Sequence, residues 1–198
     1  LYNIPVMFLE DTTGFLPGRE QEHRGIVQAG RAMLDSIVDL RTPRFLILIR
    51  NAFGGAYASY NNYPTGADLV VALPTTRVAV MGPAGVEYVY KDELKAIRAA
   101  IPKRTADTKA ELMNQGMSET DADDQASAAA SEWAKAAEAD LAKRYEREIM
   151  NPEEALSLGS VSQIVMPSDL RTVIAKHLMF CLRHYTPGPM GGVQREFH

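Results

Sequence analysis

Two short glycine-rich stretches hold the residues best suited to chemistry. One is Asp11-Thr12-Thr13-Gly14-Phe15-Leu16-Pro17-Gly18, and the other is Phe53-Gly54-Gly55-Ala56-Tyr57. Each follows a run of apolar residues that reads as a buried strand. Glycine has no Cβ, so a ligand oxygen can reach the main chain directly. Amides at the start of a helix lack acceptors within the helix and carry partial positive charge. Two such amides aimed at one oxygen stabilise an oxyanion, and losing one donor of this kind raises a barrier by about 2.7–4 kcal/mol. The other reading is that these glycines only permit tight turns, and spacing alone does not separate the two.

Side chains offer less. Glu10 and Asp11 end the first apolar run, where a carboxylate pair could do acid–base work. The competing and favoured reading is that Asp11 holds its loop by accepting from nearby amides. His23, His177, His184 and His198 are scattered, without metal-ligand spacing. No P-loop, His-Glu-x-x-His or Gly-x-Ser-x-Gly motif occurs. Cys181 lies among Leu178, Met179 and Leu182 on an expected helix and reads as a small buried hydrophobe. No metal is expected in this domain.

The elements that must position the turns follow from periodicity. Residues 4–9 and 45–49 are continuous apolar runs, the signature of strands buried on both faces. Between them, apolar residues from Glu20 to Leu40 recur at helical spacing, and Thr42-Pro43 stops the helix. Leu69–Ala72 and Val78–Met81 read as two short strands, and a helix is expected near Val86. Asn151-Pro152 opens a short helix, Val161–Val165 reads as a strand, and Pro167 starts a last helix to about His184. This order predicts an α/β domain with right-handed crossovers. Residues 91–149, rich in Ala, Glu, Lys and Asp, read as a solvated helical insertion, with a partner-docking arm as the sharper alternative. Pro102 and Gly116 are expected to break it. The tail from Pro187 reads as irregular.

Composition limits the function. The chain has 198 residues and a net charge of −4, which gives no basic field for nucleic acid. No run reaches the roughly 20 apolar residues a membrane span needs, so no membrane insertion is expected. One cysteine excludes an intrachain disulfide. The chain opens with Leu1 and enters a strand pattern almost at once, so it is expected to be a piece of a longer polypeptide.

Taken together, 3–18, Glu22, Gly25-Ile26, Gly30, Thr42-Pro43, Gly54-Gly55-Ala56-Tyr57, Val78–Gly82, and Asn151-Pro152 with Ala155, Gly159, Val161 and Ile164 resemble the carboxyltransferase β subunits of biotin-dependent propionyl- and acetyl-CoA carboxylases. The resemblance covers most of the chain outside 91–149. It implies a crotonase-like fold of stacked ββα units, with residues 1–198 as one C-terminal carboxyltransferase domain carrying the helical insertion. It implies carboxyl transfer between carboxybiotin and the α carbon of an acyl-CoA, through an enolate held by main-chain amides. Carboxybiotin releases CO2, the ureido anion removes the α-proton, and the enolate attacks CO2, with no protein base required. By the same resemblance, Gly55 and Ala56 hold the ureido oxygen, and Gly14, Phe15, Gly54 and Tyr57 border the biotin. Ala58 lines the acyl pocket, where many propionyl-type members carry an acidic residue. Implied partners are an acyl-CoA, a biotin carboxyl carrier, a biotin carboxylase, and further copies of the chain in a ring of six. The implied compartment is the cytoplasm, or the mitochondrial matrix in a eukaryote. Biotin-dependent acyl-CoA decarboxylase subunits and a non-catalytic scaffold of the same fold are the alternatives.

Overall fold

Phe45-Leu46-Ile47-Leu48 is apolar at every position because the strand that carries it is covered on both sides. The computed structural model describes residues 2–16 and 18–188. Two compact units make it up, one formed by the residues up to Gly82 and from Ile149 onward, the other by Pro83–Glu148.

In the first unit the order is β1 (Val6–Thr12), α1 (Arg19–His23), α2 (Ile26–Val38), β2 (Arg44–Phe53), α3 (Gly54–Ser59), β3 (Leu69–Ala72) and β4 (Arg77–Ala79). The second unit supplies α4 (Val86–Val89), α5 (Lys91–Asn114) and α6 (Glu119–Glu148). The chain then returns to the first unit with α7 (Pro152–Ser157), β5 (Gln163–Ile164) and α8 (Pro167–His184). The sheet is parallel, with order β1-β2-β3-β5. β2 has a double role. Its first half pairs with β1 and β3, and its last three residues pair with β4, with Asn51 opposite Arg77 and Phe53 opposite Ala79. The register of β1 slips at this change, where Glu10 faces Leu48 but Thr12 faces Ala52.

Side chains on the two sheet faces feed separate clusters. Leu46, Leu48, Val70 and Ala72 pack with Val78, Ala155 and Val161, joined by Phe8 and Tyr57. Phe45, Leu69 and Val71 pack with Val165 and a stripe of α8, Leu170, Val173, Ile174 and Leu178. Truncating a residue such as Leu46, which is fully buried, to alanine costs about 2–5 kcal/mol. Arg44 fastens the entry to β2. Its Nε donates to the Gly66 carbonyl at 2.8 Å, its guanidinium also donates to the Ile37 carbonyl, and its amide donates to Asp68 at 2.8 Å.

The second unit is a helical hairpin. Ala122, Ala126, Ala130 and Ala134 recur every four residues and are buried along α6, which lets α5 approach closely. Arg104 stacks 3.9 Å over the Trp133 ring, and Arg98 and Lys109 of α5 pair with Glu138 and Asp123 of α6. Ser118 caps α6 by accepting from the Asp121 amide at 3.2 Å.

Several sequence expectations change. The helix expected over 20–40 is interrupted at Gly25, whose φ of 84° is left-handed, so α1 and α2 are separate. Pro102 does not break its helix. α5 runs through it, because packing along α6 outweighs the roughly 3 kcal/mol that an interior proline costs. The helical unit begins at Pro83 rather than near 91. Val80, expected in a strand, is 87% exposed in the turn after β4. Pro189 to His198 lie outside the described residues, so the reading of that part of the tail and of His198 is not addressed by the structure.

Candidate functional site

The turn from β2 into α3 strongly favours glycine. Gly54 has φ 62°, and a Cβ there would stand 3.1 Å from the Val80 carbonyl. Phe53 before it is still extended. The helix therefore starts abruptly at the carboxyl end of a central strand, where α/β sheets gather ligands. Gly55 and Ala56 fall in its first turn, so their amides have no acceptor four residues back within the helix. Among the described residues no side chain caps that end.

A cleft of about 520 Å3 opens beside the turn. Gly54, Gly55, Tyr57 and Ala58 line it, together with Val80 and Leu158. The Ala56 side chain is turned into the core at 2% exposure, so only its main chain belongs to this turn. The cleft wall is mostly apolar. Glu154 is the charged residue that lines it, and its amide is held by the Asn151 cap at 2.6 Å.

The first glycine-rich loop meets the second from the other side. The Phe15 ring lies between Gly30 and Gly55, 3.5 Å and 3.8 Å from where their Cβ atoms would stand. Gly14, at φ 118°, sits 3.9 Å from the Phe53 carbonyl by the same measure, and its amide donates to Thr12 Oγ1 at 3.3 Å. Phe15 lines a separate cavity of about 450 Å3 with Leu16, Gly30 and Leu34. Gly14, Phe15, Gly54 and Gly55 are thus brought together, whereas the cleft wall itself comes from 54, 55, 57 and 58.

The two carboxylates at the end of β1 point opposite ways, because successive strand residues do. Asp11 accepts from the Asn51 amide and from Asn51 Nδ2, both at 3.1 Å, and pairs with Arg50 at 2.8 Å. Hydrogen bonding from Arg50 holds its carboxyl below the usual carboxylate range. Asn51 Oδ1 in turn accepts from Arg77 Nη2 at 2.8 Å, which ties β1, β2 and β4 together. Asp11 is therefore structural, and no acid–base pair forms with Glu10.

Glu10 is the residue sequence reasoning undervalued. It is 2% exposed, and neither carboxylate oxygen has a hydrogen-bond partner among the described residues. Burial pushes its pKa up to about 8. Tyr57 is raised to about 12 by burial first, then by Glu10 and Tyr63. The Tyr57 hydroxyl donates to the Ser160 carbonyl at 3.3 Å. The alternation Val6, Phe8, Glu10 was the available signal, since it puts Glu10 on the core face. Asn61 is also fully buried, with φ 76° and both side-chain polar atoms unpartnered among the described residues. Nothing in its sequence context marked it.

Among the described residues the histidines form no cluster. His177 Nδ1 contacts the Val173 carbonyl at 3.0 Å, and His184 packs on Phe180 with ring centroids 5.0 Å apart. Cys181 packs against the second core cluster. Among the described residues, no three His, Cys, Asp or Glu side chains are grouped to hold a metal, and no helix is long and apolar enough to cross a membrane.

Known proteins resemble this chain in sequence and fold. Residues 2–185 match the family model described as the carboxyl transferase domain. A propionyl-CoA carboxylase carboxyltransferase subunit of Haloferax mediterranei is 33% identical over 171 residues, which is 86% of this chain and 27% of that protein. The methylmalonyl-CoA carboxyltransferase 12S subunit of Propionibacterium freudenreichii is 30% identical over 93% of this chain and 29% of its own length. A crystal structure of transcarboxylase 12S with methylmalonyl-coenzyme A and methylmalonic acid bound superposes with a TM-score of 0.68 at 27% identity, covering 96% of this chain and 31% of that one. The chain thus spans less than a third of the length of these relatives. The α/β fold is the crotonase-like one expected, and with both the family model and relatives matching along nearly all of it, the chain belongs to the carboxyl transferase domain family.

Proposed function

We propose that this chain is the biotin-receiving half of an acyl-CoA carboxylase carboxyltransferase. The observation that carries the proposal is the pair of first-turn amides at Gly55 and Ala56, uncapped by any side chain beside an apolar cleft. Carboxybiotin supplies the activated carboxyl group, and its ureido oxygen gains negative charge as that group leaves. Amides fixed in a helix turn need no reorganisation to meet that charge. A glycine at 55 lets the ureido ring approach without a Cβ between them. Tyr57 and Gly54 border the ring in this reading, and Phe15 with Gly14 sets the position of the turn from behind. Ala58, exposed at the mouth, contacts the acyl group.

The second pair of amides, needed for the thioester enolate, comes from the remainder of the longer protein. A biotin carrier and a biotin carboxylase complete the reaction, and copies of the chain assemble as a hexamer. The transcarboxylase 12S neighbour is described as a hexamer. The working direction is carboxylation of the acyl-CoA, in the cytoplasm or the mitochondrial matrix.

The test is Gly55→Val in the intact enzyme, with carboxyl transfer followed from carboxybiotin to acyl-CoA. The expected result is a loss of 100-fold or more, as for removal of one oxyanion donor (about 2.7–4 kcal/mol), with unchanged far-UV circular dichroism. Full activity in a folded Gly55→Val enzyme rejects the amide assignment.

A further inference from the structure

We infer that Asn62 is a specificity-determining residue, whose side-chain amide reads an uncharged oxygen near the far end of the acyl group. The acyl-CoA it selects carries a keto or hydroxyl oxygen beyond its β-carbon. The inference rests on the proposed carboxyl transfer and names the substrate class for it.

The argument starts from a polar side chain that the fold does not use. Asn62 is 7% exposed and is one of the residues lining the cleft. It stands at the N-cap of a single turn of 3-10 helix, Tyr63–Thr65, where asparagine ordinarily accepts from an amide of the turn. Its side chain makes no such bond, and Oδ1 is buried without a partner among the described residues. The structural role falls to the main chain instead. The Asn62 carbonyl accepts from the Thr65 amide at 3.1 Å, from Thr65 Oγ1 at 2.9 Å and from the Ala67 amide at 3.1 Å. Those bonds fix the residue's place, while no bond holds the side-chain amide in one orientation. The last torsion of asparagine is broad, so the group can turn either its donor or its acceptor to a ligand.

Position selects the ligand. Gly55 lies in the first turn of α3 and Asn62 lies beyond its end, and six helical residues span about 9 Å. In the proposed reaction the ureido ring sits at the Gly55 amide, and the acyl α-carbon must lie beside that ring to receive the carboxyl group. Gly54, Gly55 and Ala58 put no polar side chain into the cleft, and the Tyr57 hydroxyl is spent on the Ser160 carbonyl. A chain that leads from the α-carbon past Ala58 therefore finds the Asn62 amide unspent. An alkyl end laid there strips water from the amide and returns nothing, which leaves a buried polar group unpaired. A keto or hydroxyl oxygen replaces that water. The oxygen is uncharged because Glu154, which also lines the cleft, repels an anionic end. It lies beyond the β-carbon because the electron pair of the enolate would expel a β-hydroxyl as hydroxide.

The experiment measures kcat/KM for carboxyl transfer by the intact enzyme to 4-oxopentanoyl-CoA and 4-methylpentanoyl-CoA, which differ by an oxygen or a methyl group on one carbon. Propionyl-CoA, too short to reach Asn62, is the third substrate. Asn62→Leu, close to asparagine in shape but without polar atoms, is run in parallel, with Asn62→Ala as a second variant should leucine disturb folding. The expected result is that the wild type favours the keto substrate roughly 10- to 100-fold, and that the variants lose or reverse this preference. A wild type that uses the two longer substrates equally, or prefers the methyl one, while it carboxylates propionyl-CoA, overturns the inference and leaves carboxyl transfer standing. A keto preference that survives in the folded variants overturns it as well. Transfer to none of the three substrates overturns the proposed function and the inference together.

Discussion

The ring of Phe15 rests 3.8 Å from the point where a Cβ on Gly55 would stand. That contact joins the loop after β1 to the helix after β2, and Gly30 of α2 supports the ring from its other side at 3.5 Å. Phe15→Ala removes the packing while leaving every main-chain amide chemically intact. The expected outcome is a moderate loss of carboxyl transfer, smaller than for Gly55→Val, together with a stability loss of about 3 kcal/mol or less. A fully buried ring costs about 3–5 kcal/mol to truncate, and Phe15 is 43% exposed. Urea denaturation and initial rates on the same preparation separate the two effects.

Asp11 ties three strands together through Asn51, Arg50 and Arg77. Asp11→Ala should lower the denaturation midpoint more than Asp11→Asn, because asparagine keeps an oxygen to accept from the Asn51 amide. Equal midpoints for the two variants would mean that the Arg50 pair, and not the acceptor, is what matters. Since the Asp11 pKa is held below its ordinary value, its contribution is present above the ordinary carboxylate range and fades as pH falls through the lowered pKa.

Glu10 has the reverse sign. Its folded pKa is raised from 4.5 to about 8, so folding favours the protonated form. Its share of stability is complete below pH 4.5 and is lost as pH rises toward 8, at most about 1.4 kcal/mol per unit. Thermal melts from pH 5 to 9 should show this slope in the wild type and a flatter profile in Glu10→Gln.

Asn151 closes the first turn of α7, whose residues Glu154 and Ala155 line the cleft. Asn151→Ala should cost about 1 kcal/mol and raise the KM for carboxybiotin more than it lowers kcat, because it loosens a wall and leaves the Gly55 turn untouched. A kcat effect alone would contradict this.

Pro102 is an interior helix proline tolerated by tertiary packing. Pro102→Ala should raise the melting temperature, by up to the equivalent of about 3 kcal/mol, with no change in carboxyl transfer. A lowered melting temperature would show that the proline relieves a clash along α6.

Much of this was legible in the residues. Unbroken apolar runs marked β2 and β3 because parallel strands are buried on both faces. Asn151-Pro152 and Pro167 marked helix starts because capping chemistry is local. The glycine pair at 54 and 55 announced a turn that needs bare main chain. What stayed hidden was non-local. The continuity of α5 through Pro102 depends on a partner helix far along the chain. The isolation of Glu10 depends on how the folded sheet covers its core face. The opposite facing of Glu10 and Asp11 was implicit in strand alternation, yet adjacency in sequence suggested a pair.

Gly54 and Ala58 stand four residues apart on one cleft wall and answer to different constraints. A side chain at 54 would meet a left-handed backbone and crowd the Val80 carbonyl at 3.1 Å, whereas 58 opens to solvent. The wall of one cleft therefore joins a position closed to change and one with room for a side chain: variation is steered to 58 by the bare backbone at 54.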